Sequence, residues 1–547
     1  MIKLSLINYL LIFSIFGYSF IFKKILYSEN SNDYKITNLD FFYGIIFIYF
    51  ISLLAHFFVP LNNMSTIVIL FGIASFLYCL INKKLKISLI NYFLIVLIFS
   101  IIAYYGSDNV DSPLYHLQVI NWLTDHKLTF GIANLEYRYG INYPWYSILG
   151  LLNIEHLGFS NKYYLSLIIF SFIFYELLTS KIFSKSLIFL SFSLSYLFLF
   201  GLIHPFNYGV VLNHIGNPEK DLFNMLLFLT LIYVFIKLYE HDDHKEKKNL
   251  ISIYLIILSL VIMQTPIYGL IILTFLFIFF KDIKIKDQMM LFIFLSITFL
   301  IWSLKSVAIN GCLVFPISIT CLNTDWTIDI STLNYMVDEM KRWCRSLPGL
   351  EMLNDEYKTL KTFNWFKPWF LNYYLTTAMH QLNSLIIIFS LIISVYLGYK
   401  KNFLIRKNEK ILFVSILLVN ITCTILIPEI RYYWGPHISL SCLFLTLVVY
   451  SLDIKMFKSK NIYLIVPFIS LILFTSFKVI PKIKYSNLNE LPKRVHDFSS
   501  IKKIGTFNSY DVFTNYGKCA DFDEICVTTP KKEYKFINKY SYLFILR

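Results

Sequence analysis

The chain has 547 residues, 57% of them hydrophobic and 18% aromatic, and carries a formal charge of +15. A soluble domain is closer to about 45–50% apolar, and here the excess is laid out in blocks of roughly 15 to 20 residues, each long enough to cross a bilayer as a helix. The positive charge does not indicate nucleic-acid binding, because the lysines gather at the ends of apolar runs, where positive-inside topology places them.

In chain order, the apolar runs predict spans at about 4–22, 41–59, 66–82, 88–105, 163–179, 186–203, 222–238, 250–264, 267–280, 290–306, 383–397, 411–427, 438–452 and 462–478. The first run is long and lacks a small-residue cleavage site, so no cleavable signal peptide is expected. Lysine and arginine clusters at 23–24, 83–86, 181–185, 245–248, 281–286, 400–407 and 455–460 fall on one side of this arrangement. By the positive-inside rule that side is cytoplasmic. The segments 106–162, 204–221, 307–382, 428–437 and the tail after 479 are then external. One ambiguity lies at 250–280, broken only by Gln264, Thr265 and Pro266, where two short helices compete with one long kinked helix. The expectation is an all-α polytopic membrane protein of about 14 transmembrane helices over 1–478, with surface-lying helices in its external loops and a small external cap over 479–547. Tyr510–Thr514, Tyr534–Ile537 and Tyr542–Leu546 read as strands of that cap.

The segment 106–145 is the longest polar break among the early spans. Ser112-Pro113 is a helix-start signal, and Leu114, Leu117, Ile120 and Leu123 then recur at one turn. An amphipathic helix of about three turns, ending near His126, is expected to lie at the membrane surface. Asp108 and Asp111 stand just before it. A second short helix is expected over 148–157.

Of the eight cysteines, Cys79, Cys423 and Cys442 lie within spans, where they read as small apolar residues. Cys519 and Cys526 enclose a short loop and suggest a disulfide in an oxidising compartment. Cys312 and Cys321 are a second candidate pair. No CxxC spacing points to a structural zinc site.

The predicted external segments collect acids, imidazoles and phosphate-capable cations on one side. The 204–221 loop is dense in His204, Asn207, Asn213, His214, Asn217, Glu219, Lys220 and Asp221. Glu429, Arg431 and His437 lie in the 428–437 loop, and Lys305 ends a span. Such a face suits chemistry on a lipid-linked anionic substrate, tail in the bilayer and head group at the interface. Glycosyl transfer from a polyprenyl-phosphate sugar needs a carboxylate base for the acceptor hydroxyl and a fixed cation for the departing phosphate. Asp111, then Asp108, fits the first role; Arg431, Lys305 or His116 fits the second, with Asp221 and Arg138 in support. Plainer roles stand beside these. Asp111 suits a helix cap, Asp221 a first-turn acid, and Arg431 an interfacial snorkel.

An acidic residue in the first large external loop, directly before a surface helix, resembles the GT-C superfamily of polyprenyl-phosphate-sugar glycosyltransferases. Asp111, Tyr115, His116 and Leu117 (DxxxYHL), with the block GIANLEYRYGINYPW from Gly131 to Trp145, resemble a group of bacterial integral membrane proteins of GT-C-like topology. Asn310 to Pro316 echo that group's Gly-Pro-rich SG-P-YP element, with Cys312 and Val314 in place of Pro and Tyr. NYGKCADFDEICVTTP echoes its cysteine-bearing tail. The resemblance implies a multi-pass protein of the bacterial inner membrane, active on its external face. It further implies a lipid-linked sugar as co-substrate, a glycan, lipid or protein acceptor and no nucleic acid. A divalent metal is left open, since Asp108 and Asp111 do not form the DxD of some members. The rival readings are a flippase or polymerase of a surface-polysaccharide pathway, and a non-enzymatic membrane protein.

Overall fold

A computed structural model describes residues 2–27, 35–105, 112–154, 162–163, 165–180, 183–203, 211–271, 285–345, 363–376, 378–399, 406–452, 459–483, 499–515, 519, 522, 524–528, 530–531, 533–539 and 541–546. It is mostly helical. Long apolar helices α1 (Ile2–Leu26), α2 (Phe41–Phe58), α3 (Asn62–Ile81) and α4 (Leu89–Tyr104) are followed by two short helices, α5 (Leu117–Asp125) and α6 (Pro144–Leu151). The bundle continues through α7 (Leu165–Thr179), α8 (Lys185–Ile203), α9 (Lys220–Glu240), α10 (His244–Gln264) and α11 (Ile285–Asn310). Helix α12 (Ile330–Arg345) is amphipathic, and α13 (Ala378–Tyr399), α14 (Lys407–Leu426), α15 (Trp434–Leu452) and α16 (Lys460–Phe474) complete the helical part.

Among the described residues, eight helices are long and apolar enough to cross a membrane, and four shorter apolar helices accompany them. The structure is thus a mostly helical bundle whose apolar helices suit a membrane protein, with eight helices of spanning length among the described residues. Of the expected span 267–280, only the start is described. Helix α10 ends at Gln264, Pro266–Ile271 form a 3-10 turn, and the rest of that run lies outside the described residues. Proline at the break removes a backbone donor and stops the helix.

The bundle has a centre and a rim. Helix α9 is buried along nearly its whole length, whereas α3, α11, α14 and α16 each bury only about a third of their residues. Their outward faces carry exposed Ile67, Phe71, Leu300, Leu418 and Ile469. Such surface is stable against lipid and costly against water.

The end of the bundle that bears the lysine clusters, here the basic end, is fastened by buried ion pairs. Lys23 meets Asp40 at 2.9 Å, Lys237 meets Glu176 at 2.9 Å, and Lys185 meets Glu409. The opposite end is covered by a small β unit. Strands β1 (Lys502–Phe507), β2 (Tyr510–Thr514) and β3 (Ile525–Val527) form one sheet, antiparallel then parallel; β4 (Lys535–Lys539) and β5 (Tyr542–Leu546) form a hairpin. The strand expected at Tyr534–Ile537 begins one residue later and runs further, because its ladder pairs Lys535 with Leu546 and Lys539 with Tyr542. Both candidate disulfides, Cys312–Cys321 and Cys519–Cys526, are formed.

This cap is sewn to the 112–145 segment. Phe130 donates to Leu543 at 2.9 Å and accepts from Ile545 at 2.8 Å. Thr528 donates through backbone and hydroxyl to Glu136, Tyr139 donates to the Cys526 carbonyl, and Lys531 to that of Asn134. Gly131 has φ +70°, and a Cβ there would stand 2.3 Å from the Ile545 oxygen. Only glycine tolerates both the left-handed turn and that approach. The segment departs from the sequence expectation in one respect. Residues 112–116 form a π turn leading into α5, and nearly all of 116–124 is buried. Helix α5 is therefore enclosed beneath the cap and against α6 rather than exposed on one face.

Candidate functional site

Helix α9 begins where Pro218 ends a 3-10 turn (Val211–Gly216) and Glu219 takes the N-cap position with an extended backbone. The N-cap and first two residues of this enclosed helix are thus an acid, a base and an acid: Glu219, Lys220 and Asp221. All three are buried. Free N–H groups and the dipole at a helix start stabilise the two carboxylates.

Four other segments converge on this point. His214 places Nδ1 2.7 Å from Glu219 Oε2. Ser112 donates to Glu219 Oε1 at 3.3 Å. From the 3-10 turn Ile430–Tyr433, Arg431 Nε lies 3.7 Å from Asp221 Oδ2. Tyr143, just before α6, accepts a hydrogen bond from the Lys220 ammonium, which also sits 4.0 Å from the Tyr143 ring centre and 5.4 Å from that of Tyr432. The buried His116 Nδ1 hydrogen-bonds the Tyr146 hydroxyl, and its ring is 4.1 Å from that of Tyr115. Trp145 closes the floor, its indole donating to the Pro218 carbonyl at 3.0 Å.

Burial alone would raise the Glu219 pKa. The His214 imidazole, its hydrogen bond and the charges of His116 and Arg431 outweigh burial and hold the carboxyl below the ordinary range. Glu219 is therefore a stable anion at neutral pH. The Tyr146 hydroxyl is pushed well up by burial and stays protonated.

The six charged or imidazole groups at this end are paired unevenly. Glu219 has His214 and Asp221 has Arg431. Among the described residues, no carboxylate lies within ion-pair distance of Lys220, which rests on a hydroxyl and two aromatic faces. A buried ammonium so held is costly and is suited to receive an anion.

The sequence-selected residues divide into three groups. His116, Asp221 and Arg431 are brought together. Arg138 goes elsewhere: it pairs with Glu339 of α12 at 3.4 Å and stacks on Tyr137, reaching the cluster only through the Tyr115 ring, 5.8 Å away. Lys305 also stands apart, donating to Ser147 at 2.8 Å beside a cavity of about 30 Å³ that His56 and Tyr146 also line. That volume holds about two waters, by the ~10–15 Å³ each requires. Asp108 and Asp111 lie outside the described residues. Sequence reading noted His214, Glu219 and Lys220 in a polar loop without assigning them to the site, and passed over Tyr143 and Tyr146. The signal for the first three was their position directly before an all-apolar helix. Among the described residues, no group of three or more His, Cys, Asp or Glu is arranged to hold a metal ion.

The motif residues acquire defined positions. Asn134 donates to Trp326 and Ile545, Asn310 donates to Gly140, and Asn142 exchanges hydrogen bonds with Trp302. Gly311, at φ +84°, turns the chain against Thr327. The block from Gly131 to Trp145 is thus a hub joining cap, α11 and the start of α9. A family profile, described as a domain of unknown function, matches residues 1–438 and so includes this hub and every residue of the cluster.

The chain belongs to the DUF8201 family. No curated protein and no solved structure matches it. All five cap strands lie beyond the matched stretch, while the surface they dock on lies within.

Proposed function

We propose that this DUF8201 protein transfers a sugar from a polyprenyl-phosphate-linked donor to an envelope glycan, lipid or protein acceptor, in the bacterial inner membrane with its cap end outside. The observation that carries this reading is Lys220, a buried ammonium without a carboxylate partner among the described residues, beside Arg431 at the start of the central helix. Apolar helices below provide for the lipid tail, and polar loops above for the sugar and acceptor.

In the proposed reaction the bond from the anomeric carbon to the donor phosphate breaks, and a bond from that carbon to the acceptor oxygen forms. The phosphate leaves on its lipid with the bonding electron pair, held by Lys220 and Arg431. The acceptor proton passes to a carboxylate, assigned to Asp111 first and Asp108 second. Glu219 is too stable an anion to be a good base; it serves to stabilise positive charge growing on the sugar ring. His116 and Asp221 set the positions of their neighbours.

The test is lipid and surface-glycan profiling of the native host with wild-type, Lys220→Met, Arg431→Met and Asp111→Asn chains at matched expression. Loss of one surface glycan by tenfold or more, with its lipid-linked donor accumulating, is expected for each. Unchanged glycan in both Lys220→Met and Asp111→Asn defeats the proposal.

A further inference from the structure

Away from the ionic cluster, between α5 and the cap sheet, lies a separate cleft of about 470 Å³. That volume falls within the range of small-ligand sites, about 300–1,000 Å³. One wall is the outer side of α5 and the turn after it, with Gln118, Asn121, Asp125 and His126. The facing wall is the cap, with Tyr510, Asp511, Phe522, Glu524 and Asn538.

The two walls are held at a fixed separation. Gln118 donates to the Phe522 carbonyl at 2.8 Å, and the Cys519–Cys526 disulfide closes the loop that carries Phe522 and Glu524. The His126 ring rests on the buried Trp122 at 4.4 Å, and the Tyr510 ring on Phe536 at 5.0 Å. The aromatic surfaces are therefore rigid and only partly covered. Asn538 and the Tyr510 hydroxyl are within 3.0 Å of each other, a donor–acceptor pair at the rim.

This lining selects a ligand class. Amides, carboxylates and hydroxyls present donors and acceptors in pairs, as vicinal hydroxyls require, and aromatic rings offer faces to the C–H side of a pyranose. Of the three carboxylates on the walls, Asp511 is paired with Lys503 at 2.7 Å; Asp125 and Glu524 join it in an acidic lining whose one lysine, Lys127, lies over Tyr542, so phosphates and uronic acids are disfavoured. The polar lining does not suit a lipid tail. We propose that the cleft binds a neutral or amino-sugar glycan. Gln118 and His116 are two residues apart on one helical run and so face different sides of it, which keeps a glycan in the cleft distinct from the ionic cluster. Its service as acceptor rests on the proposed transfer reaction; its binding does not.

Isothermal titration of the full-length protein in detergent micelles tests the binding, with chitohexaose, a glucosamine hexamer, a galacturonic acid hexamer and hexalysine as probes. Saturable binding of the two amino-sugar hexamers is expected, the glucosamine form tighter and weakened by salt, with the galacturonate hexamer not bound. Tyr510→Ala with Asn538→Ala, both on the cap surface, should weaken binding at least tenfold while circular dichroism is unchanged. Arg431→Met should leave it unaltered. Absence of binding by both amino-sugar hexamers, equal affinity in the double variant, or tighter binding of hexalysine or galacturonate overturns the proposal. Intact hexamer binding together with unchanged surface glycan in the cluster variants defeats the transfer reading alone and leaves the cleft standing.

Discussion

The two ends of the bundle handle buried charge in opposite ways. At the basic end Glu176, Asp40 and Glu409 each have one ammonium, and neutral donors fill other oxygens of the first two. Glu176 takes Lys237, then Tyr233 at 2.8 Å and Asn38 at 3.1 Å; Asp40 takes Lys23, then Asn249 at 3.1 Å. These are closed circuits, and what they do is hold α1, α2, α7, α9 and α10 in register. At the cap end two acids and two bases balance in number but pair unevenly, and Lys220 is left facing tyrosine. A cluster that only fastened helices would cost less if it were neutralised or replaced by apolar side chains. The difference teaches that burial of charge is not itself a sign of function; the uneven pairing is.

Four measurements break or sharpen that contrast. The largest expected effect is at the closed end. Glu176→Ala strands Lys237 and the Tyr233 hydroxyl and should cost about 3–5 kcal/mol, read as a large fall in Tm in detergent. Replacing both partners, Glu176→Leu with Lys237→Met, should recover much of it. Next is the cap. Cys526→Ser opens a loop of sequence separation 7, worth about 2–3 kcal/mol on loop entropy. Limited proteolysis should then cut the tail while the bundle transition holds.

The third effect depends on pH. The folded Glu219 carboxyl titrates below its unfolded value of about 4.3. Its contribution is therefore present above that value and is lost as pH falls through the depressed folded one. The Tm gap between wild type and Glu219→Gln should be widest near pH 6 and close as pH drops from about 4 towards 2. An unchanging gap would contradict the ionised assignment. The smallest is Lys220→Met, which should shift stability by no more than about 0.5 kcal/mol, or raise it. A fall of several kcal/mol would mean that Lys220 is a fastener like those at the other end.

Helix positions were largely legible, because apolar runs carry their own length signal and Pro266 its own stop. The convergence of 112–145, 214–221 and 431 on one end followed from alternating lysine clusters. The pairings within that end were not legible. Nothing in a single sequence says that Arg138 prefers Glu339 and two tyrosine faces, or that Lys305 turns to Ser147 under α6. Lys305 lies at a span end and Arg138 in a polar external segment, where composition favours several roles equally. Three of the five cap strands could be read from the sequence, β1 and β3 could not, and neither could any strand's partner, because periodicity does not encode which distant backbone edge is met. The Gly131 block carried a family resemblance in the sequence and is in large part a docking surface.

That docking surface also sets a clock. Asn134 and Ile545, hydrogen-bonded in the finished structure, are 411 positions apart in the chain. At about 5–20 residues per second of synthesis, the hub waits on the order of 20–80 s for its partner. Through that interval Phe130 has no strand beside it and Glu136 lacks Thr528. The cleft does not yet exist, and the start of α9 lacks its outer cover. A nascent chain stalled short of the hairpin would span the membrane with its helices in place and with its working end unassembled.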